Sequence, residues 1–375
     1  MRGVLAPALA GAAATCSGIG LARFAYVPLF PAMVAAGWVD GAQAGLLGAL
    51  NLTGYLAGAL LARIVARRVG VPRALDAGMA LAALAAACCA WNGGMAWLAA
   101  WRAVAGAAGG LLMGLAGPAV QAVVPAQRRG IAGGLVLMGV GTGVTLGALL
   151  VPALVGVDVA AAWLGLSAAT LLLWGFARPR WPAPPPAPVP ARGDVPRAGL
   201  LIGAYALSGA GLVPPMVYLA DFAARGHGLG VQAGGLMWVV FGAGALVGSV
   251  SGGALADRIG GRRAMVVGLA AQAVALALPL LPALGGLVAG GFLSGAATVG
   301  ITAVALVAAR ERAGAQAGLV WVRVTAGFAL AQAATGFAMA ALFGATGESH
   351  AAIFAAGAVL SVGALALGVA DRRAG

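Results

Sequence analysis

Twelve long apolar runs, separated by short breaks that carry arginine, glycine or proline, leave this chain few ways to fold. A helix that crosses a bilayer needs about 20 apolar residues, so twelve use roughly 240 positions of the 375 in the chain. Only 8% of the residues are charged, 62% are hydrophobic, and the mean hydropathy is +1.01. Soluble domains carry roughly a quarter charged residues, which excludes a water-soluble enzyme, a secreted disulfide scaffold and a disordered regulator. The runs are unbroken rather than alternating, so a membrane β-barrel is excluded too. An all-α polytopic membrane protein with twelve transmembrane helices is expected.

The runs read as 5–33, 42–65, 74–91, 95–123, 131–154 and 159–176, then 199–222, 232–255, 264–281, 284–309, 316–343 and 351–370. Between the sixth and seventh, Pro182, Pro184, Pro185, Pro186, Pro188 and Pro190 predict an extended, semi-rigid linker without a core of its own. The expected organisation is a six-helix bundle over 1–176, a cytoplasmic linker over 177–198 and a second bundle over 199–375.

A net charge of +13 would suggest nucleic acid in a soluble protein. Here all 22 basic residues are arginine and sit in clusters between apolar runs, which is a topology signal instead. Arg2, Arg63, Arg67, Arg68, Arg73, Arg128 and Arg129, the linker arginines, Arg258, Arg262, Arg263, Arg310, Arg312, Arg372 and Arg373 share one side of the span map. The other side has only Arg225, beside Asp40, Asp158, Asp221, Glu348 and His350, with both histidines in loops. Cytoplasmic termini and a multi-pass bacterial inner-membrane location follow as expectations. The N-terminus imitates a signal peptide, but its removal would leave eleven spans, so it is expected to stay. Cys16, Cys88, Cys89, His227 and His350 make no metal-ligand spacing. No metal or cofactor is expected, and the cysteines read as packing residues.

Sliding the chain by 190 residues aligns the second run with the eighth: Gly45, Gly54, Gly58, Arg68, Gly70 and Arg73 meet Gly235, Gly244, Gly248, Arg258, Gly260 and Arg263. Two parallel six-helix halves with a binding site at their interface are a transporter architecture. Ridges at Gly106, Gly110 and Gly114, at Gly139, Gly143 and Gly147, and at Gly244, Gly248 and Gly252 predict close helix contacts.

The loop after the eighth run holds Gly253, Asp257, Arg258, Gly260, Arg262 and Arg263. It resembles the signature loop of the major facilitator superfamily, and span count, halves and linker extend the resemblance over the whole chain. In the first half, Arg67 stands where the Asp would be, followed by Arg68. The resemblance implies a cytoplasmic gate at these positions, with Asp257 capping or facing a neighbouring helix end and the arginines meeting carbonyls and carboxylates.

Three arginines fall within spans: Arg23, Arg102 and Arg323. A charge at a helix centre costs about 2.5 to 3.5 kcal/mol on insertion scales, so Arg23 and Arg102 are expected to face a cavity, whereas Arg323 lies near enough to an end to snorkel. Arg102 with Gly106, Gly109 and Gly110 resembles the superfamily's fourth-helix arginine motif, linked to substrate or proton handling. The first run, from Gly18 through Arg23, Phe24, Tyr26 and Pro28 to Pro31, resembles the first helix of the YbfB/YjiJ-type branch. At helical spacing Arg23 and Tyr26 share a face, and Pro28 and Pro31 are expected to bend the outer end. Pro214 and Pro215, followed by Tyr218 and Asp221, occupy a comparable place in the seventh run.

Candidate substrate contacts are therefore Arg23, Tyr26, Arg102, Tyr218 and Trp238. No acid sits mid-span, and Asp221 is the coupling candidate. The expected function is secondary transport of a small solute, an organic anion, by rocker-switch alternating access. The expected partners are that solute, the bilayer and a candidate coupling proton, with no nucleic acid and a monomeric chain. A drug or amphipathic-solute exporter is the alternative, kept open by Trp101, Trp238 and Trp321; it would need a buried acid. A polytopic membrane enzyme is a remote alternative, because no nucleophile stands near a base.

Overall fold

The computed structural model describes residues 2–183 and 198–374. Most of the proline-rich linker, Pro184 to Pro190 included, lies outside the described residues. Among those residues, twelve helices are long and apolar enough to cross a membrane. They are α1 (Leu5–Ala35), α2 (Gly41–Val69), α3 (Val71–Cys89), α4 (Met95–Val123), α5 (Ile131–Val155) and α6 (Val159–Arg180), then α7 (Gly199–Gly226), α8 (Gly230–Ile259), α9 (Gly261–Leu280), α10 (Leu284–Ala313), α11 (Leu319–Ala345) and α12 (His350–Arg373).

The chain divides into two compact units, Met1–Pro190 and Ala191–Gly375. Within the first, α2 packs along α4, α3 packs on α4 and α6, and α5 packs on α1. Within the second, α8 packs along α10, α9 on α10 and α12, and α11 on α7. Glycines make the long contacts possible. A Cβ on Gly54, Gly58 or Gly106 would collide with the carbonyl oxygens of Ala103, Ala107 and Asn51; on Gly244, Gly248 or Gly295 it would meet those of Phe292, Ala296 and Phe241. The glycine ridges are thus helix seams, as expected of packing in lipid. Large apolar side chains such as Leu172 and Val250 stand on the outside, 76% and 74% exposed. Hydrocarbon, rather than water, is the solvent that tolerates such a surface.

The span map holds, with two corrections. Residues 177–183 are not part of an extended linker. Ala177 is fully buried, a 3₁₀ turn runs over Arg178–Arg180, and Trp181 packs beside Leu173. The carboxylate of Asp76 on α3 secures this segment by accepting from Trp174 Nε1 at 2.6 Å and Trp181 Nε1 at 2.9 Å. Nor is His350 a loop residue: it opens α12 and is buried, with Ser349 capping the helix through Ala352 N. Asp40 and Asp158 cap the starts of α2 and α6 in the same way.

Candidate functional site

The first helix is not a continuous α-helix. Cys16–Phe24 winds as a π-helix, closing with Ala25 N donating to Gly20 O at 2.9 Å, and α-helical winding resumes at Tyr26. Gly18 and Gly20 press against the backbones of Gly109 and Gly143, contacts that a Cβ at either would violate. Pro28 lacks an N–H and so cannot bond the carbonyl four residues back, which lets the winding change at Phe24. The break therefore precedes the prolines rather than following them. A π turn takes more residues than an α turn, so positions three apart no longer return to one face.

That change alters the expected pairing of Arg23 with Tyr26. Arg23 is half-buried, its guanidinium 5.2 Å from the ring centroids of both Phe24 and Tyr55. The cation over the Tyr26 ring is Arg102, at 4.1 Å, with Trp163 of α6 at 5.7 Å. Arg102 is 1% exposed and donates from Nη1 to Ala22 O at 2.9 Å. The Tyr26 hydroxyl donates to Ala44 O at 2.7 Å, and Asn51 Nδ2 donates to Arg102 O at 3.1 Å. Among the described residues no carboxylate pairs with Arg102, and its Nε, Asn51 Oδ1 and Trp163 Nε1 have no hydrogen-bond partner. Cation–π contact compensates part of the desolvation of a guanidinium but leaves its charge unneutralised.

In the second unit α7 is also interrupted, breaking at Leu212 before Pro214 and Pro215 and ending in a π turn over Phe222–Gly226. Tyr218 is buried edge-on to Phe343, with ring centroids 4.9 Å apart. Trp238 is fully buried and stacked on Phe241 at 4.4 Å. Asp221 is fully buried and ion-paired: Arg225 reaches both of its oxygens, at 2.6 and 2.7 Å, and His350 Nε2 lies 2.7 Å from Oδ2.

At the opposite end of α8, the helix end expected to be met by Asp257 is capped by Glu311. The Glu311 carboxylate accepts from Gly261 N at 2.6 Å and Arg262 N at 3.3 Å. Asp257, Arg258 and Arg263 are exposed, and Asp257 makes no hydrogen bond or ion pair among the described residues. A Cβ at Gly253 would meet open space. Arg67 and Arg68 end α2, both exposed. Sequence reasoning missed Glu311, Asn51, Tyr55, Trp163 and Glu348. Only Glu311 carried a signal, as a lone acid between Arg310 and Arg312.

Residues 15–368 match the protein family described as uncharacterised MFS-type transporter YbfB. No curated protein matches the chain by sequence. Solved structures with the same fold include a POT family transporter in complex with 5-aminolevulinic acid (12% identity, 98% of this chain and 95% of that one, TM-score 0.78). Others are the nucleoside transporter NupG (15%, 97% and 99%, 0.77) and a D-xylose-proton symporter (15%, 96% and 95%, 0.73). With the family match over nearly its whole length and twelve spans in two six-helix units, the chain belongs to the major facilitator superfamily of membrane transporters, in the YbfB-type family.

Proposed function

We propose that this transporter moves a small organic anion by rocker-switch alternating access, its two halves rocking around a site near the midplane. The observation that carries this reading is Arg102: a buried guanidinium with no carboxylate partner among the described residues and an Nε without a hydrogen-bond partner there. A carboxylate-bearing solute would supply the missing charge through charge-assisted hydrogen bonds, with Arg23 and Tyr26 as further candidate contacts in the first unit and Tyr218 and Trp238 as candidate contacts in the second. Export of lipophilic cations would need a buried acid, and Asp221 is one, but that carboxylate is already paired with Arg225 and His350, which leaves the anion reading favoured; the Trp238–Phe241 stack is fully buried. Asp221 is the coupling carboxylate in this reading, and the loop from Gly253 to Arg263, with Arg67 and Arg68, forms the cytoplasmic gate. The arginine distribution supports cytoplasmic termini and an inner-membrane location.

The test is uptake into proteoliposomes of a panel of labelled mono- and dicarboxylates, with sugars and lipophilic cations as comparison solutes. Arg102→Gln is expected to abolish uptake of the anion while leaving the thermal unfolding profile of the purified protein in place. Unchanged uptake in both Arg102→Gln and Arg23→Gln removes the anion reading.

A further inference from the structure

Three polar atoms cluster in the core of the first unit with no hydrogen-bond partner among the described residues: Arg102 Nε, Trp163 Nε1 and Asn51 Oδ1. All three residues are buried, and buried polar groups of native proteins are rarely left unsatisfied. The rest of each side chain is fixed. Arg102 Nη1 and Asn51 Nδ2 both donate to Ala22 O, at 2.9 and 3.4 Å, so the guanidinium and the amide meet at one carbonyl oxygen. Asn51 Nδ2 also donates to Arg102 O at 3.1 Å. Two carbonyl partners identify that atom as the nitrogen and leave the amide oxygen as the orphan. The Tyr26 and Trp163 rings enclose the guanidinium, at 4.1 and 5.7 Å from Arg102 Cζ.

The fold does not require these groups. With the chain slid by 190 residues, Asn51 falls opposite Phe241, and in the register that pairs Gly106 with Gly295, Arg102 falls opposite Gly291. The second unit thus builds the same helix seam with an apolar residue and a glycine, which sets the polar cluster apart from packing.

The orphans are two donors and one acceptor. An ionised carboxylate accepts from a guanidinium and an indole N–H, but it has no hydrogen to offer an amide oxygen. A solute that satisfies all three atoms therefore carries a donor beside its carboxylate. A hydroxyl on the adjacent carbon supplies that donor without charge. An ammonium would donate too, but it would set a second cation beside Arg102, which pairs with no carboxylate among the described residues, and like charges disfavour each other.

We propose that Arg102, Trp163 and Asn51 form a subsite for the carboxyl end of a 2-hydroxy acid, with Asn51 Oδ1 selecting the hydroxyl. The inference rests on the anion reading and narrows it to one substrate class.

Titration calorimetry of the full chain in lipid nanodiscs tests it, with acids matched except at the second carbon: lactate and propionate, malate and succinate, mandelate and phenylacetate. In at least one pair the hydroxy acid should bind at least about fivefold more tightly, the effect of leaving a buried acceptor unpaired. Pyruvate and phenylglyoxylate, which accept but cannot donate at that carbon, should bind no better than propionate and phenylacetate. N51A should bring the two members of the favoured pair to equal affinity. W163F, which removes only the indole N–H, should weaken both members alike and leave their ratio in place. Equal binding within every pair, as a resident water on the three atoms would give, overturns the proposal and leaves the anion reading standing, whereas binding of none of these acids removes both. A ratio retained in N51A also overturns it; if N51A does not fold, 2-oxo acids that bind as tightly as their 2-hydroxy counterparts do so.

Discussion

Gly70 and Gly260 stand 190 positions apart and adopt the same backbone, φ 85° with ψ 153° and 151°. This conformation is essentially closed to residues with a Cβ. Each glycine ends one long helix and starts the next, so in both halves the first amides of the following helix need acceptors. The solutions differ. In the second half Glu311 reaches from α10 to Gly261 N and Arg262 N. In the first half Pro72 stands in the first turn, removing one of the donors, and among the described residues no side chain caps the helix. In the register that pairs Gly106 with Gly295, Glu311 falls opposite Ala122 and Arg102 opposite Gly291. The repeat preserves the backbone geometry that close helix contact demands and leaves charge placement free to diverge. Among the described residues, the first unit buries a cation, Arg102, with no acid paired to it, whereas the second buries an acid, Asp221, between two basic groups.

The comparison can be broken most severely at Asp221. Asp221→Asn removes the buried acceptor that Arg225 and His350 share, while Arg225 keeps Glu348, and should cost about 1.5 to 3 kcal/mol as lost charge-assisted hydrogen bonds, measured by denaturation of the purified protein in mixed micelles. A loss below about 1 kcal/mol would give this ion pair only the energetic weight of an exposed one. Gly106→Ala and Gly295→Ala each drive a Cβ into a carbonyl oxygen across a helix seam, at about 1 to 3 kcal/mol. Similar losses are expected in the two halves; a loss in only one would show that the seams are not equivalent. Glu311→Ala should cost about 1 to 2 kcal/mol as a lost helix cap, with faster hydrogen exchange confined to the start of α9. Pro72→Ala should cost least, about 0.5 to 1 kcal/mol, chiefly by freeing the unfolded chain. If Pro72→Ala matched Glu311→Ala, the two caps would be energetically interchangeable.

The helices and their pairing were largely legible, because long apolar runs, arginine placement and four-residue glycine spacing are local or periodic signals. The cation over Tyr26, which is Arg102, was not. The segment Cys16–Phe24 has no residue that by itself specifies π winding; the tight approach of Gly18 and Gly20 to Gly109 and Gly143 accompanies it. The placement of residues 177–183 is hidden from the sequence for a related reason: proline content signals an extended chain, yet two indole N–H groups on Asp76 hold the segment against α3 and α6. Asp76 is 98 and 105 positions away from those tryptophans, a separation no local pattern spans.

The sequence by itself determined that this chain is a twelve-helix membrane protein in two related halves, because hydrocarbon admits only segments that satisfy their own backbone and hide their charges. Which charges meet was decided only by the tertiary structure. Arg102 over Tyr26, Glu311 on Gly261 and His350 on Asp221 are contacts between distant segments. Each depends on ångström-scale helix register that hydropathy does not encode.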